Sequence, residues 1–202
     1  MTVRHVLLDA DGVVQHGVRD PFGLLRRWAG DRAEDLGRAL WAAERGPLRG
    51  EGDFLEAVDR VVPSYADVDP RELYASLWGD ITLSEATLAL IDRLRAAGLG
   101  VPLGTNQHRQ RGEHMRTTLG FDRLFDVSCY SWELGTKKPE TDYFEIALER
   151  IGAPGDEVLF VDDMEANVEA ARAVGLRAEH WHLDRGHDLL RELLAGHGVE
   201  VD

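Results

Sequence analysis

Two rhythms of apolar and polar positions divide the chain. From Ser84 onward, short apolar runs alternate with longer stretches in which apolar residues recur every three or four positions. The runs "LGVPLGTNQ" (99–107), "LFDVSCYS" (124–131), "EVLFVDD" (157–163) and "RAEHWH" (177–182) have the length and composition of strands. The stretches "SEATLALIDRLRAAG", "QRGEHMRTTLG", "TDYFEIALERIG", "EANVEAARAVG" and "HDLLRELLAG" have the period of amphipathic helices. Ser84 and Thr141 stand where N-caps belong, and Gly98 where a helix stops. One further strand, "VRHVLLDAD", opens the chain. The alternation predicts an α/β fold, a doubly wound parallel sheet with helices on both faces.

Between the first strand and Ser84 the rhythm is helical only: "PFGLLRRWAG", "AEDLGRALWAAERG", "GDFLEAVDRVV" and "DPRELYASLWGD", punctuated by glycine and proline. That predicts a small all-helical insertion after the first strand. The expected division is a core of residues 1–14 and 83–202 and an insert of 15–82, hinged at 12–17 and 81–84. Leu24, Leu25, Leu40, Trp41, Phe54, Leu73 and Leu77 can bury against one another, and Trp28, Trp41 and Trp78 are expected to belong to the insert's core. The loop at 46–54 is a candidate for selecting a ligand.

Polar residues gather at the strand ends. Asp9 and Asp11 end the first, Thr105 and Asn106 the next, and Asp162 and Asp163 a later one. Ligands of open α/β sheets bind beyond the carboxyl ends of the strands, so these residues are expected in one cleft, with Lys138 of "GTKKPE" within reach. In an extended chain Asp9 and Asp11 would point the same way and repel each other. Several carboxylates with no His or Cys beside them call for a hard cation, and Mg²⁺ is the natural one. With a lysine and a hydroxyl it makes a phosphate site. One carboxylate can attack phosphorus and a second can move the proton.

The balance of 37 acidic against 23 basic residues, a net charge of −14, disfavours nucleic acid and anionic membranes as partners but not a small anion at a local cation. Cys129 is the single cysteine and is expected to be buried packing. The first strand begins at about residue 3, leaving no room for a leader, and no apolar run approaches the ~20 residues of a membrane span. The expected location is the cytoplasm.

These motifs resemble those of the haloacid dehalogenase superfamily in its phosphatase-type branch. "DADGV" resembles its first motif, "VPLGTN" its second, "GTKKPETDYF" its third and "VLFVDDMEANVEAARAVG" its fourth, all in the family's order. The insert is similar to the family's type-1 helical cap on a Rossmann-like core. The resemblance implies Asp9 as nucleophile, Asp11 as acid/base, and Thr105 and Lys138 as phosphoryl ligands, with Asn106 also at the substrate. It implies Mg²⁺ held by Asp9, Asp11 (through its carbonyl) and Asp163, supported by Asp162, Asn167 and Gly12. The implied activity is hydrolysis of a small phosphorylated metabolite, such as a sugar phosphate, through an aspartyl-phosphate.

Four other readings remain. A phosphomutase shares the motifs, though only His16 could serve as its cap-linker histidine. A 2-haloacid dehalogenase needs neither Asp11 nor Asp163. A receiver-type phospho-acceptor domain has a different motif order, and a binding protein would have lost the chemistry. His16 stands either at the substrate or on the surface, and His180, His182 and His187 are expected on the surface. Oligomeric state is not legible.

Overall fold

A computed structural model describes residues 2–201. The apolar runs form five parallel strands: β1 (His5–Leu8), β4 (Leu103–Thr105), β5 (Ser128–Tyr130), β6 (Val158–Asp162) and β7 (Arg177–His180), in the order β5-β4-β1-β6-β7. Alternate side chains enter opposite faces of the sheet. Val6, Leu8, Leu159 and Val161 join a core under α5 (Glu85–Ala96), α6 (Arg109–Thr117) and α11 (His187–Gly196). Leu7, Val158, Phe160 and Cys129 join another under α9 (Thr141–Ile151) and α10 (Glu165–Ala173). Both faces are covered, which is why the central strands are apolar without a polar stripe.

The order places β1 at a switch point, with β4 on one side and β6 on the other. The loops leaving these three strands therefore meet at one edge. They carry Asp9, Asn106 and Asp163.

Two short strands, β2 (Gln15–His16) and β3 (Thr82–Leu83), pair antiparallel and hold the ends of the helical stretch side by side. Between them lie α1 (Pro21–Ala29), α2 (Ala33–Glu44), α3 (Phe54–Val61) and α4 (Pro70–Trp78). Asp20, Asp53 and Asp69 cap α1, α3 and α4 by accepting from backbone N–H groups. Leu25, Leu36, Leu40, Phe54, Val58 and Leu73 form an apolar cluster of their own. Trp28 and Trp78 pack against it, but Trp41 is exposed beside Phe22, with ring centroids 5.1 Å apart. The expectation of a core tryptophan fails at Trp41, whose ring packs on Phe22 instead of entering the cluster.

The 46–54 loop docks on the core. Arg49 bonds both carboxylate oxygens of Glu140. Gly50 (φ +78°) lies where a β-carbon would run into the Trp132 carbonyl of the short helix α8 (Ser131–Leu134). A second short helix, α7 (Phe121–Leu124), follows α6; neither has the length to show a period in sequence. Ser84 does cap α5 by accepting from Thr87 N–H, whereas Thr141 is the first residue inside α9 and makes no cap. Among the described residues no helix is long and apolar enough to cross a membrane.

Candidate active site

β1 ends at Leu8, three residues short of a strand that would carry both aspartates. The chain turns at once: the Ala10 carbonyl accepts from the N–H groups of Val13, Val14 and Gln15. Asp9 and Asp11 are thus not two positions of one extended strand, and their carboxylates diverge to different cations. This corrects the expectation that the two carboxylates point the same way.

Asp9 points toward β6. Its Oδ1 accepts from Ala10 N–H at 2.7 Å and lies 2.8 Å from Lys138 Nζ. Lys138 is buried and has its three N–H groups engaged, by Asp9, by Asp162 Oδ2 at 2.6 Å and by the Gly104 carbonyl at 2.8 Å. Burial disfavours its charge, but Asp162 and Asp9 outweigh this and hold the ammonium charged. Asp162 is fully buried and saturated: its Oδ1 accepts from Met164 N–H and Asn167 Nδ2. Asn167, one helical turn beyond, therefore orients Asp162 and not Asp163.

Asp163 is the more open of the pair. Gly12, at φ +76°, sits where a β-carbon would lie 2.7 Å from its Oδ2. Only glycine serves here, on grounds of both backbone and space. Asp9, Asp162 and Asp163 can bring one carboxylate oxygen each within 4.8 Å of one another. Burial lifts the Asp9 carboxyl well above the ordinary range; Lys138 opposes this and Asp162 adds to it. Burial and then Asp162 raise Asp163 as well. One lysine cannot balance three carboxylates, and the surplus negative charge on oxygen donors fits a hard divalent cation. Among the described residues, no protein donor bonds Asp9 Oδ2 or the Asp163 carboxylate, whereas both Asp162 oxygens accept from donors.

Asn106 exchanges two hydrogen bonds with the Lys138 backbone, donating Nδ2 to its carbonyl and accepting from its N–H, both at 2.9 Å. Its side chain holds the lysine loop. The Lys138–Pro139 peptide in that loop is cis. Thr105 is buried, and its hydroxyl accepts from Gln107 Nε2 at 3.0 Å.

Asp11 turns the other way, to partners that no motif marked. Arg111 donates Nη1 to Oδ2 at 2.6 Å and Nη2 to Oδ1 at 2.8 Å. Gln107 donates to Oδ2 at 2.8 Å and Gln15 to Oδ1 at 3.0 Å. Burial pushes the Asp11 carboxyl up, but these donors, Arg111 first, pull it down to about 2. Its carboxylate lines a cavity of about 210 Å³ together with Gly17, Pro21, Trp41, Leu77 and Trp78. Arg111, Gln107 and Gln15 escaped the sequence reading because each lies in an amphipathic or turn segment with no spacing that singles it out.

A second cavity, of about 360 Å³, borders Asp11, Gly12 and Asp163 on the other side. His16 and His182 line it, with ring centroids 6.2 Å apart. His180 Nε2 lies 2.8 Å from the Asp163 carbonyl. Of the three late histidines expected on the surface, His182 therefore lines the site, His180 meets a backbone carbonyl, and His187 meets Thr87 Oγ1 at 2.9 Å.

Known proteins resemble the chain in sequence and in fold. The chain is similar to phosphoglycolate phosphatase of Escherichia coli, 27% identical over 157 residues, covering 73% of this chain and 62% of that one. It is 33% identical over 151 residues to acyl-CoA dehydrogenase family member 10 of Mus musculus, covering 70% of this chain and 13% of that protein. The chain spans less than two thirds of the length of these relatives. Its fold matches a haloacid dehalogenase (HAD) family enzyme of Bacteroides thetaiotaomicron solved as a magnesium complex, with a TM-score of 0.80, 19% identity and coverage of 95% of this chain and all of that one. It also matches L-2-haloacid dehalogenase of Xanthobacter autotrophicus, with a TM-score of 0.66 and 18% identity over 96% of this chain and 84% of that one. The haloacid dehalogenase-like hydrolase profile matches residues 3–175, and with the motif residues gathered at the ends of β1, β4 and β6, the chain belongs to that family.

Proposed function

We propose that the protein is a cytoplasmic, Mg²⁺-dependent phosphomonoester hydrolase acting on a small phosphorylated metabolite through an aspartyl-phosphate. The observation that carries this reading is Asp9. Its Oδ1 is held by Lys138 and Ala10 N–H, Oδ2 carries neither of these contacts, and the carboxylate stands in ligand reach of Asp162 and Asp163. Asp9 attacks phosphorus and the alcohol departs; water then attacks the acyl phosphate and releases inorganic phosphate. Lys138 is a fixed positive charge beneath the phosphoryl group, and the Thr105 hydroxyl stands at the same strand-end edge. Asp9, Asp163 and the Asp11 carbonyl would hold Mg²⁺, which supplies charge to offset the phosphoryl oxygens. Asp11, ionised in this arrangement, is suited to take the proton from the attacking water; protonated, it serves the departing alcohol.

The insert, residues 15–82, is in this reading a cap that excludes water and selects the leaving group. The cavity of about 210 Å³ beside Asp11 suits a small one, and sugar phosphates are the first substrates to try. The phosphatase names among the relatives support the phosphomonoester class. Asp11 and Asp163 favour it over dehalogenation.

The test is hydrolysis of p-nitrophenyl phosphate and of a phosphometabolite panel, with Mg²⁺ and after chelation. Turnover is expected with Mg²⁺ only, and none in Asp9→Asn. Undiminished activity after exhaustive chelation removes the metal; near wild-type turnover in Asp9→Asn removes the nucleophile. A requirement for a bisphosphate activator would make the protein a phosphomutase.

A further inference from the structure

The cavity of about 210 Å³ beside Asp11 is walled mainly by the insert. Trp41 comes from α2, Leu77 and Trp78 from α4, and Pro21 opens α1. Among the described residues, the charged side chains on its wall are Asp11 and Arg111, and both are engaged by protein. Each Asp11 oxygen already accepts two hydrogen bonds, Oδ1 from Arg111 and Gln15, Oδ2 from Arg111 and Gln107. Arg111 also donates to Gln107 Oε1 at 2.8 Å and to the Trp78 carbonyl at 2.9 Å. Trp78 Nε1 donates to Glu44 Oε1 at 2.9 Å. A ligand rich in hydroxyl groups finds few partners among these side chains, and hydroxyls taken from water without partners carry a cost. An apolar ring has no such cost and gains from burial.

The two tryptophans are held differently. Tyr74 stacks on Trp78 at 5.7 Å between centroids, and Phe54 meets it edge-on at 4.9 Å. Trp41 is 38% exposed and stands outside the insert's apolar cluster. A single exposed apolar residue needs no explanation, but this one has a seat. A β-carbon at Gly37, one turn earlier in α2, would run into the Trp41 ring and come 3.2 Å from Phe22 Cε1. Glycine there lets the indole lie back along the helix, where the Phe22 ring braces it. The indole is thus fixed on the cavity wall although the packing of the insert makes no use of it.

Size and position narrow the occupant further. An apolar cavity of about 150 Å³ holds one benzene ring. The space beside Trp41 therefore takes one ring with its linking carbon and excludes two. Asp11, Gly17 and Val18 line this cavity and also the one that reaches Asp163, so the two adjoin. A phosphoryl group at the Asp163 end and a ring beside Trp41 can belong to one molecule.

We infer that the substrate's leaving group is a single apolar ring housed in this cavity, and that Trp41 is the residue that selects it. This rests on the phosphohydrolase reading and narrows its substrate class to phosphomonoesters of small cyclic alcohols poor in hydroxyl groups.

The test uses the full chain with Mg²⁺ and two esters of primary alcohols, benzyl phosphate and glucose 6-phosphate, whose intrinsic reactivities are alike. Burial of one apolar ring is worth about 10-fold or more, so kcat/KM should favour benzyl phosphate by that factor. Trp41→Ala should reduce the preference by about 10-fold, chiefly through a higher KM for benzyl phosphate, and Trp41→Phe should restore most of it. Calorimetry with benzylphosphonate and methylphosphonate, neither of which is hydrolysed, reads binding apart from turnover. Benzylphosphonate should bind more tightly by a similar factor, and Trp41→Ala should remove the difference. Equal rates on the two esters, or a preference for glucose 6-phosphate, would place the leaving group in the cavity of His16 and His182 and overturn the inference. An unchanged preference in Trp41→Ala overturns it too. Neither result touches the phosphohydrolase reading, on which Mg²⁺-dependent turnover and its loss in Asp9→Asn report separately. A wild type that cleaves neither ester overturns both.

Discussion

At the scale of the residue, the site is an exercise in distributing charge. Lys138 serves two buried carboxylates, and its removal leaves both uncompensated. Breaking a buried ion pair from one side costs about 3–5 kcal/mol. Lys138→Met is therefore expected to lower the unfolding free energy by that order in metal-free urea titrations, and Mg²⁺ should recover part of it by taking the place of the lost charge. Glu44, on α2, offers a separate pH test. Burial pushes its carboxyl up to about 7 against the opposing Arg111 charge and the bond from Trp78 Nε1. A carboxyl raised on folding contributes its full stability below the unfolded value of 4.5, and this is lost as pH rises to about 7. Glu44→Gln should abolish that decline and be more stable than wild type above pH 7, by up to about 3 kcal/mol. Thermal melts of both proteins from pH 4.5 to 8 check it. A parallel decline in the variant would place the titrating group elsewhere.

At the scale of the element, the insert and the sheet have separate apolar clusters, joined by polar and ring contacts. Arg49 meets Glu140, Phe54 packs on His108 with centroids 4.6 Å apart, and His108 Nε2 stands 3.6 Å from Glu44. Burial, and then Arg111, hold His108 neutral down to about pH 3. Leu36 is fully buried within the insert's cluster and remote from the strand-end residues. Leu36→Ala should destabilise the insert by about 2–5 kcal/mol. Hydrogen exchange should quicken in α1–α4 while amides of β1, β4 and β6 keep their protection. Uniform loss of protection would mean that insert and core unfold as one unit.

At the scale of the whole molecule, β2 and β3 bring residues 16 and 82 into register, so excision between them requires only a tight turn. Replacing residues 17–81 by such a turn is expected to leave a folded α/β core that binds Mg²⁺, because Asp9, Asp163 and Lys138 all lie outside the insert. Preference among phosphorylated metabolites should flatten, and large aryl phosphates should gain. Calorimetric Mg²⁺ titration and the substrate panel read the two halves of this expectation. A core that fails to fold, or that keeps the full-length substrate ranking, would end the description of the insert as a selecting cap.

The sequence by itself determined what local rules can reach. Strands and helices follow from the period of apolar residues, the placement of the helical stretch from the absence of strands there, and the strand-end set of Asp9, Lys138 and Asp163 from motifs whose geometry is set by short loops. It also supplied the wrong reason for the aspartate pair, since periodicity cannot say that β1 stops at Leu8. Tertiary structure alone decided the partners of side chains one hundred residues apart, as with Arg111 and Asp11. It also decided that Asn106 turns to the Lys138 backbone, and that Trp41 stays exposed while Trp78 packs inward. Periodicity and motif spacing describe neighbours along the chain. An ion pair across a cleft depends on where two separately specified elements come to rest, and no pattern within either element encodes that distance.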